Sequence, residues 1–232
     1  MSNLYSIAGL VVEMNAGNRT QKQAEPYRIE GDAQPDITMI GTHDKYHEAH
    51  LYLTYDEAEY LNTCAEFYYK LIDFDGMMLH SSCVVVDNRA YVFSADSGTG
   101  KSTHTKLWLK KFGDRAYILN DDKPAIRLID GVWHACGTPW SGKHDISRPA
   151  CVPLAGIAFL YRDTTNHIER YTGSKMVFEM LNQTLRHNKK MPEIMTLLDR
   201  LVRDVPVWKL FCNMDPAAAD VSYNAMSGNV KE

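Results

Sequence analysis

Short apolar runs separated by polar turns fill the middle of the chain. Residues 83–86 and 90–94 are apolar and β-favouring, and they flank the polar turn 87–89. Residues 125–129 and 132–136 flank an Asp-Gly turn in the same way. Each pair predicts a β-hairpin, because such turns reverse the chain between two extended segments. The middle of the chain is therefore expected to form a sheet with antiparallel pairs.

Two further apolar runs predict buried strands outside these hairpins. Residues 116–120 follow a helix-compatible segment, and residues 154–161 are almost entirely apolar. A strand that is apolar on both faces is typical of the centre of a sheet. We therefore predict an α/β fold that leans towards α+β, with a mixed, largely antiparallel sheet and flanking helices.

The first third of the chain, residues 1–75, predicts a small α+β lobe. Residues 4–14 are apolar and predict one strand around Gly9, and residues 37–40 and 49–54 predict two short strands. Residues 56–71 carry apolar side chains at helical spacing, and Asp56 is a suitable N-cap for that helix.

The last third, residues 164–232, predicts a mainly helical region. Apolar side chains recur every three or four positions in residues 176–185 and 194–202, as on the buried face of a helix. A length of 232 residues is sufficient for one large domain with a substantial core. We predict a single domain over residues 1–232, whose central part is residues 76–163.

Charge and composition restrict the partners. The net charge is −4 and the basic residues are dispersed, which argues against binding to nucleic acid. No apolar run approaches the length of a membrane span, and the N-terminus lacks the pattern of a signal peptide, so a cytoplasmic protein without a membrane partner is expected. Five scattered cysteines without a C-x-x-C pair predict reduced, mostly buried thiols, with neither a disulfide framework nor a zinc site.

Three histidines at helical spacing, His43, His47 and His50, raise the question of a metal site. Residues 41–45 have the composition of a turn, and no carboxylate or cysteine completes a ligand set. Exposed polar histidines are the preferred interpretation.

The strand predicted at 90–94 leads into a small-residue loop and then a helix-compatible segment. Residues 95–103 match the phosphate-loop pattern G-x-x-x-x-G-K-[ST] except at Ala95, which should keep an ordinary φ. Backbone N–H groups of such a loop, with the N-terminus of the next helix, bind the phosphates of a nucleotide. A surface turn rich in Gly and Ser is the alternative, but the strand and helix context favours nucleotide binding. The predicted binding residues are Ser97, Gly98, Thr99, Gly100, Lys101, Ser102 and Thr103.

Paired carboxylates follow the strand predicted at residues 116–120. Phosphoryl transfer needs a magnesium ion and a carboxylate near the incoming hydroxyl. One of Asp121 and Asp122 can hold Mg²⁺ together with Ser102, while the other accepts a proton. An exposed turn is the alternative, but the position after a phosphate loop and a buried strand favours catalysis. The sequence leaves open which aspartate is the base.

Other polar residues are candidates for the same catalytic group. His80 begins the first hairpin and can hydrogen-bond a catalytic carboxylate. Lys143 and Arg148, with Lys123, can neutralise charge on the transferring phosphoryl group. The alternatives are a structural histidine and solvated surface charges.

These motifs together resemble the superfamily of HPr kinase/phosphorylase and ATP-dependent phosphoenolpyruvate carboxykinase, and within it small bacterial HPr-kinase-like proteins. The resemblance covers about residues 78–161. The segments that carry it are Leu79-His80-Ser81-Ser82, Ala95 to Ser102, Asn120-Asp121-Asp122-Lys123-Pro124, Gly137 to Lys143 and Val152-Pro153-Leu154.

The resemblance implies a mixed-sheet kinase core that uses MgATP or another phosphate donor to phosphorylate a hydroxyl. It also implies that His80 and the Asp121/Asp122 pair serve the attacking hydroxyl. Ala95 departs from the family pattern, and the C-terminal signature segment of true HPr kinases is missing. HPr is therefore not the expected acceptor, and decarboxylation chemistry is not expected either.

Two functions follow as hypotheses. The first is a Mg²⁺-dependent, ATP-using kinase that phosphorylates a Ser/Thr hydroxyl of a peptide or protein, or a small-molecule hydroxyl. The second is a nucleotide-binding regulatory or scaffold protein without transfer activity. The intact carboxylate pair favours the kinase. The sequence leaves open the acceptor, a reverse phosphorylase activity and the oligomeric state, including a homo-oligomer.

Overall fold

The computed structural model describes residues 3–39, 41 and 43–228, without the side chain of His43. Ile40 and Thr42, which fall in a predicted strand and a predicted turn, lie outside the described residues. The strands are β1 (Asn3–Ile7), β2 (Leu10–Met14), β3 (Arg28–Ile29), β4 (Ile37–Thr38), β5 (Gly76–Met78), β6 (Ser81–Val86), β7 (Arg89–Ser94), β8 (Ala116–Asn120), β9 (Ala125–Ile129), β10 (Val132–Cys136), β11 (Cys151–Arg162), β12 (His167–Arg170) and β13 (Val207–Cys212). The helices are α1 (Asn18–Ala24), α2 (His43–Ala49), α3 (Tyr55–Leu71), α4 (Lys101–Phe112), α5 (Ser174–Asn182), α6 (Met191–Asp204) and α7 (Ala217–Met226).

The N-terminal apolar run is a hairpin, so the prediction of one strand over residues 4–14 is wrong. Ala8 and Gly9 have φ values of 54° and 75°, the geometry of a tight two-residue turn. Tyr5 and Ile7 on β1 lie opposite Val12 and Leu10 on β2, and all four are buried. The two strands form the centre of a four-stranded sheet with the order β3-β1-β2-β4.

The turn predicted at residues 41–45 and the strand predicted at 49–54 are both wrong, because a helix begins at residue 43 and residues 50–54 form turns and irregular chain between α2 and α3. Helix α2 occupies residues 43–49. Side chains of two histidines bind backbone carbonyls nearby: His47 Nε2 lies 3.1 Å from the Leu53 oxygen, and His50 Nδ1 lies 2.8 Å from the Tyr46 oxygen. Among the described residues, no group of three or more His, Cys, Asp or Glu side chains converges as a metal site would require.

Helix α3 confirms the helix predicted at residues 56–71, but its N-cap is Thr54 rather than Asp56. The Glu57 backbone N–H donates to Thr54 Oγ, and Thr54 N–H donates in return to the Glu57 carboxylate, which is a capping box. The predicted apolar face is buried, as shown by Tyr60, Cys64, Phe67, Tyr68 and Leu71.

The nine-stranded sheet confirms the predicted mixed, largely antiparallel architecture. Its main path has the order β5-β9-β10-β11-β7-β6-β8, and β13 pairs with β11 and with β12. Both predicted hairpins are present as β6–β7 and β9–β10. Within this sheet, the described parallel pairs are β11 with β7 and β11 with β13.

Strand β11 confirms the predicted central strand and extends it at its N-terminal end to residue 151. Its first residues pair with β10, and the rest pair with β7 on one side and β13 on the other. Gly156 permits this arrangement, because a Cβ there would lie 2.3 Å from the Trp208 ring on β13. The edge strand β12 adds a strand that the sequence did not predict to the largely helical C-terminal third.

Cys136 and Cys151 form a disulfide, so the prediction that the thiols are reduced is wrong for this pair. The two residues lie directly opposite each other on β10 and β11, with Cα atoms 4.1 Å apart. Sequence spacing alone did not reveal that the two strands are neighbours. The thiols of Cys64, Cys83 and Cys212 are free and buried, as predicted.

Both faces of the large sheet are covered by helices. Val85 and Val92 pack in one apolar cluster with Met180 of α5 and Leu198 of α6. The neighbouring residues on the same strands, such as Val84, face the other way and pack in a second cluster around α4 and α7. This alternation explains why β6 and β7 are almost wholly apolar.

The polar motifs lie together at one end of strands β6, β7 and β8, which is called an edge of the sheet below. Strand β7 ends at Ser94 directly opposite Ser81, the first residue of β6, and the end of β8 at Asn120 pairs with Cys83. The phosphate loop, His80 and the paired aspartates therefore emerge at the same edge. No helix within the described ranges has the length and apolarity needed to cross a membrane.

Candidate active site

The phosphate loop connects β7 to α4 through residues 95–100. Gly98 and Gly100 have φ values of 79° and 125°, which favour glycine, whereas Ala95 does not have a positive φ, as expected. The Thr99 N–H donates to the Asp96 carbonyl at 3.2 Å, and α4 begins immediately after Gly100. The loop therefore curls onto the N-terminus of a 12-residue helix, an arrangement suited to anions.

Lys101 provides the positive charge of this loop. Its Nζ donates to the carbonyls of Ala95 at 2.8 Å and Asp96 at 3.3 Å, which holds the side chain across the loop. Burial lowers the pKa of Lys101 from its ordinary value, and the charges of Asp122, Asp121 and Asp96 oppose this shift. A bound polyphosphate would add negative charge beside a cation that is largely withdrawn from water.

A turn at the end of β8 gives the side chains of the consecutive residues Asp121 and Asp122 different surroundings. The Asn120 side-chain oxygen accepts from the backbone N–H groups of Asp122 at 3.0 Å and Lys123 at 2.8 Å. Asp121 Oδ1 accepts from Ser82 Oγ at 2.6 Å, and Ser82 Oγ lies 3.0 Å from Thr105 Oγ1 on α4. Asp121 thus belongs to the side of the site that is formed by the phosphate-loop helix.

Asp122 lies on the other side of the turn, beside two basic side chains. Its Oδ1 is 3.4 Å from His80 Nε2, and its Oδ2 forms an ion pair with Lys123 Nζ. Burial by itself would raise the pKa of Asp122, but the hydrogen bond from the charged form of His80 and the charge of Lys123 outweigh it and lower the pKa to about 2. With the ring charged, the carboxylate is therefore ionised at neutral pH and can accept a hydrogen bond.

His80 is oriented by a residue from the C-terminal third of the chain. Its Nδ1 lies 2.9 Å from Gln183 Oε1, and the Gln183 amide nitrogen donates to Asp96 Oδ1 at 2.8 Å. Because the Gln183 carbonyl accepts, His80 Nδ1 carries a proton. Nε2 then faces Asp122 as a donor when the ring is charged, and as an acceptor when the ring is neutral. A chain of contacts thus joins the phosphate loop to Asp122.

A cavity of about 550 Å³ brings most of the predicted residues together. Thr99 faces neighbouring cavities instead, and Arg148 does not line any of these cavities, because its guanidinium lies over the Tyr117 ring at 4.4 Å. The predicted residues that line the 550 Å³ cavity are His80, Ser97, Gly98, Gly100, Lys101, Ser102, Thr103, Asp121, Asp122, Lys123 and Lys143.

The loop after β10 closes the cavity beside Asp122. Gly142 has a φ of 75°, and a Cβ at this position would lie 2.8–2.9 Å from side-chain atoms of Asp122. The Gly142 N–H donates to Tyr60 Oη at 3.1 Å, which ties this loop to α3. Only glycine fits here without displacing the carboxylate.

Several residues of the site were not identified from the sequence. Arg19 and Tyr60 come from the N-terminal third, and Gln183 comes from the end of α5. None belongs to a local motif, so only the tertiary fold reveals their positions. Gly142 lies inside a segment that carries the family resemblance, and that segment was the only available signal for it.

A second cavity, of about 470 Å³, lies on the other side of the phosphate loop. Thr103 and Gly100 line both cavities, and the second is completed by residues such as Tyr161 and Met214. Arg162 donates to the carbonyl of Thr99 at 3.1 Å and to that of Gly98, and so supports the loop from this side. The second cavity is therefore lined in part by the phosphate loop and by the first turn of α4.

The 550 Å³ cavity, called the main cavity below, has oxygen atoms that fit a magnesium ion bound together with phosphates. The Ser102 hydroxyl and the Asp121 carboxylate offer oxygen atoms of the kind that bind Mg²⁺, and both residues line the cavity. Mg²⁺ is usually bound by one or two carboxylates together with phosphate oxygens and waters, rather than by an all-protein cage.

The chain matches no protein-family model. No curated protein matches it at a significant level.

Proposed function

We propose that the protein is a Mg²⁺-dependent kinase that transfers a phosphoryl group from ATP, or from another phosphate donor, to a hydroxyl group. The single observation that carries the proposal is that the phosphate loop, both aspartates and His80 line one cavity. The order of the motifs along the chain supports a kinase of the HPr-kinase-like type.

The two sides of the aspartate turn support different roles for the pair. Asp121, held by Ser82 on the side of α4, is the proposed magnesium ligand together with Ser102. Asp122 is the proposed base, because its carboxylate lies beside His80 and lines the cavity. Magnesium would neutralise charge on the phosphates during transfer.

The remaining residues bind and orient the reactants. Amides of the phosphate loop and Lys101 bind the phosphates, and the 470 Å³ cavity next to Thr103 has room for the nucleoside. The acceptor oxygen forms a bond to the transferred phosphorus as the bond from phosphorus to the leaving oxygen breaks. Asp122 takes the hydroxyl proton, and neutral His80, with Nε2 3.4 Å away, can receive it in turn. Lys143 lines the same cavity, which supports a role in offsetting negative charge on the transferring group.

Labelled γ-phosphate tests the proposal. The chain is incubated with Mg²⁺, labelled ATP and a panel of serine peptides and small hydroxyl compounds, and ATP binding is measured separately. Asp122→Asn should lower transfer by about 10²–10⁴-fold while ATP binding stays unchanged, because it removes the base alone. Lys101→Ala should weaken ATP binding by about 10–100-fold, since it removes charged hydrogen bonds to phosphate.

Asp114→Asn is the matched control, because Asp114 is an exposed aspartate in the turn after α4. It should change neither ATP binding nor transfer. If the parent chain binds neither ATP nor any other polyphosphate, the proposal is contradicted altogether. Binding without consumption of ATP, with every hydroxyl in the panel, would identify a nucleotide-binding regulatory protein instead.

A further inference from the structure

An arginine from the N-terminal third lies in the wall of the main cavity. Arg19 belongs to α1, and its guanidinium carbon is 4.0 Å from the centroid of the Tyr60 ring. Its Nη2 donates to the Gly142 carbonyl at 3.4 Å, while the Gly142 N–H binds Tyr60 Oη. Stacking and hydrogen bonding thus hold the side chain in place, and the planar guanidinium keeps its other N–H groups for a ligand.

The charge of Arg19 is not matched by an ion pair within the described chain. Glu57 lines the same cavity, and its charge interacts with that of Arg19 without an ion pair between them; the Glu57 carboxylate instead accepts from Thr54 N–H at 2.9 Å and from Thr54 Oγ at 2.8 Å. Asp122 is already paired with Lys123. A half-buried cation that forms no ion pair and lies in the wall of a cavity is a candidate anion-binding group.

Contacts within the cavity wall place Arg19 on the acceptor side. Asp121 lies towards α4 and the phosphate loop, Asp122 is the next residue, Gly142 packs against Asp122, and Arg19 binds Gly142. The series of contacts from the phosphate-loop helix to Arg19 thus passes through the proposed base. A hydroxyl that donates its proton to Asp122 would have its own neighbouring groups next to Arg19.

We propose that the acceptor carries an anionic group, a carboxylate or a phosphate, a few bonds from the hydroxyl, and that Arg19 binds this group. This inference rests on the proposed kinase function, because it takes Asp122 as the base. Lys143 lines the same cavity, is exposed and adds a second positive charge near the ligand. Arg19 would thus select anionic over neutral hydroxyl compounds.

Matched pairs of probes test the inference. N-acetyl-L-serine is compared with N-acetyl-L-serinamide, and glycerol 3-phosphate with glycerol, so that each pair differs in the anion. Equilibrium binding is measured to the chain loaded with Mg²⁺ and a non-hydrolysable ATP analogue, and to the free chain. We expect the anionic member of at least one pair to bind tenfold or more tightly than its neutral partner, and the pair that discriminates identifies carboxylate or phosphate.

Variants then assign the preference to Arg19. Arg19→Gln should remove the preference, and Arg19→Lys, which retains the charge and guards against a folding defect, should keep part of it. Arg28→Gln is the control, because Arg28 is an exposed arginine of the same region that faces Glu25 at 3.9 Å. It should leave the preference unchanged.

Equal binding of anionic and neutral members in both pairs would overturn the inference, as would a preference that survives in Arg19→Gln. Loss of affinity for the ATP analogue in Arg19→Gln, with the acceptor preference intact, would assign Arg19 to the nucleotide instead. The proposed function fails separately, if the parent chain does not bind the analogue at all. In that case the probe pairs titrated into the free chain still decide whether Arg19 binds anions.

Discussion

At the scale of single residues, the proton arrangement of His80 depends on Gln183. The Gln183 amide is fixed in one orientation because its nitrogen donates to Asp96, so its oxygen accepts from His80 Nδ1. This contact keeps Nε2 directed at Asp122 without a proton when the ring is neutral. Gln183 is thus a positioning residue, which acts on the proposed base through another side chain.

Replacing Gln183 by leucine should release the ring. We expect transfer to fall by about tenfold, while ATP binding is unchanged, because an unfixed ring also populates the tautomer with the proton on Nε2. Nitrogen NMR of labelled histidine measures the tautomer directly, with the His80 signals assigned from a His80→Asn variant. Asn182→Leu, one position earlier on α5, should leave both signals and rate unchanged. An unaltered tautomer in Gln183→Leu would contradict this role.

The residues of the site that could be predicted belong to local motifs. The phosphate loop and Asp121-Asp122 each occupy consecutive positions, so their chemistry is visible without a fold. Arg19 and Gln183 bind partners 123 and 103 positions away, and nothing local marks them. Arg148 follows Lys143 closely in sequence but does not line the cavity with it. The Arg148 backbone N–H donates to the Leu119 carbonyl, and its guanidinium lies over the Tyr117 ring.

At the scale of elements, α4 links the phosphate loop to the core through a buried histidine. His104 contacts the Phe93 ring on β7 edge to face at 4.6 Å, and its Nε2 lies 3.0 Å from Ser222 Oγ on α7 and 3.2 Å from Trp108 Nε1. Burial lowers the pKa of His104 to about 4. The imidazole is therefore neutral in the folded chain at pH values where an unfolded chain already protonates it.

This pKa predicts how stability depends on pH. Between about pH 6.5 and pH 4 the unfolded chain binds a proton at His104 that the folded chain does not. The contribution of neutral His104 to the free energy of unfolding is therefore complete above pH 6.5 and is lost as the pH falls. The loss attributable to His104 should be on the order of 3 kcal/mol. Urea unfolding at a series of pH values measures it. The decrease in the free energy of unfolding between pH 6.5 and pH 4 should be smaller in His104→Gln and unchanged in the control His134→Gln. The same decrease in His104→Gln as in the parent chain would refute the assignment.

The elements that could be predicted share strong local signals. The hairpins β6–β7 and β9–β10 combine apolar runs with polar turns, and α3 has a clear apolar face. The β1–β2 turn was missed because Ala8 and Gly9 carry no polar signal, although both have positive φ. Strand β12 was missed because its residues are mostly polar and exposed, and only pairing with β13 makes it a strand.

At the scale of the whole molecule, the N-terminal third and the large sheet share one apolar cluster. Trp140, in the loop before Gly142, is fully buried and stacks on Phe67 of α3 with centroids 4.9 Å apart. Its Nε1 donates to Thr63 Oγ1 at 3.2 Å. The position of Gly142, and with it the wall of the cavity, therefore depends on packing between distant parts of the chain, which no local pattern predicts.

A comparison of two buried tryptophans tests this coupling. Trp133 on β10 packs in a different cluster, and its Nε1 donates to Asp204 Oδ2 at 3.0 Å. Trp140→Phe and Trp133→Phe each remove a hydrogen bond and some buried ring, and each should cost about 1–3 kcal/mol of stability in urea unfolding. At a temperature where both variants are fully folded, only Trp140→Phe should lower phosphoryl transfer, by several-fold, because only Trp140 lies in the same loop as Gly142, which packs against Asp122. Equal losses of transfer in the two variants would show that general destabilisation, rather than the position of the loop, limits the reaction.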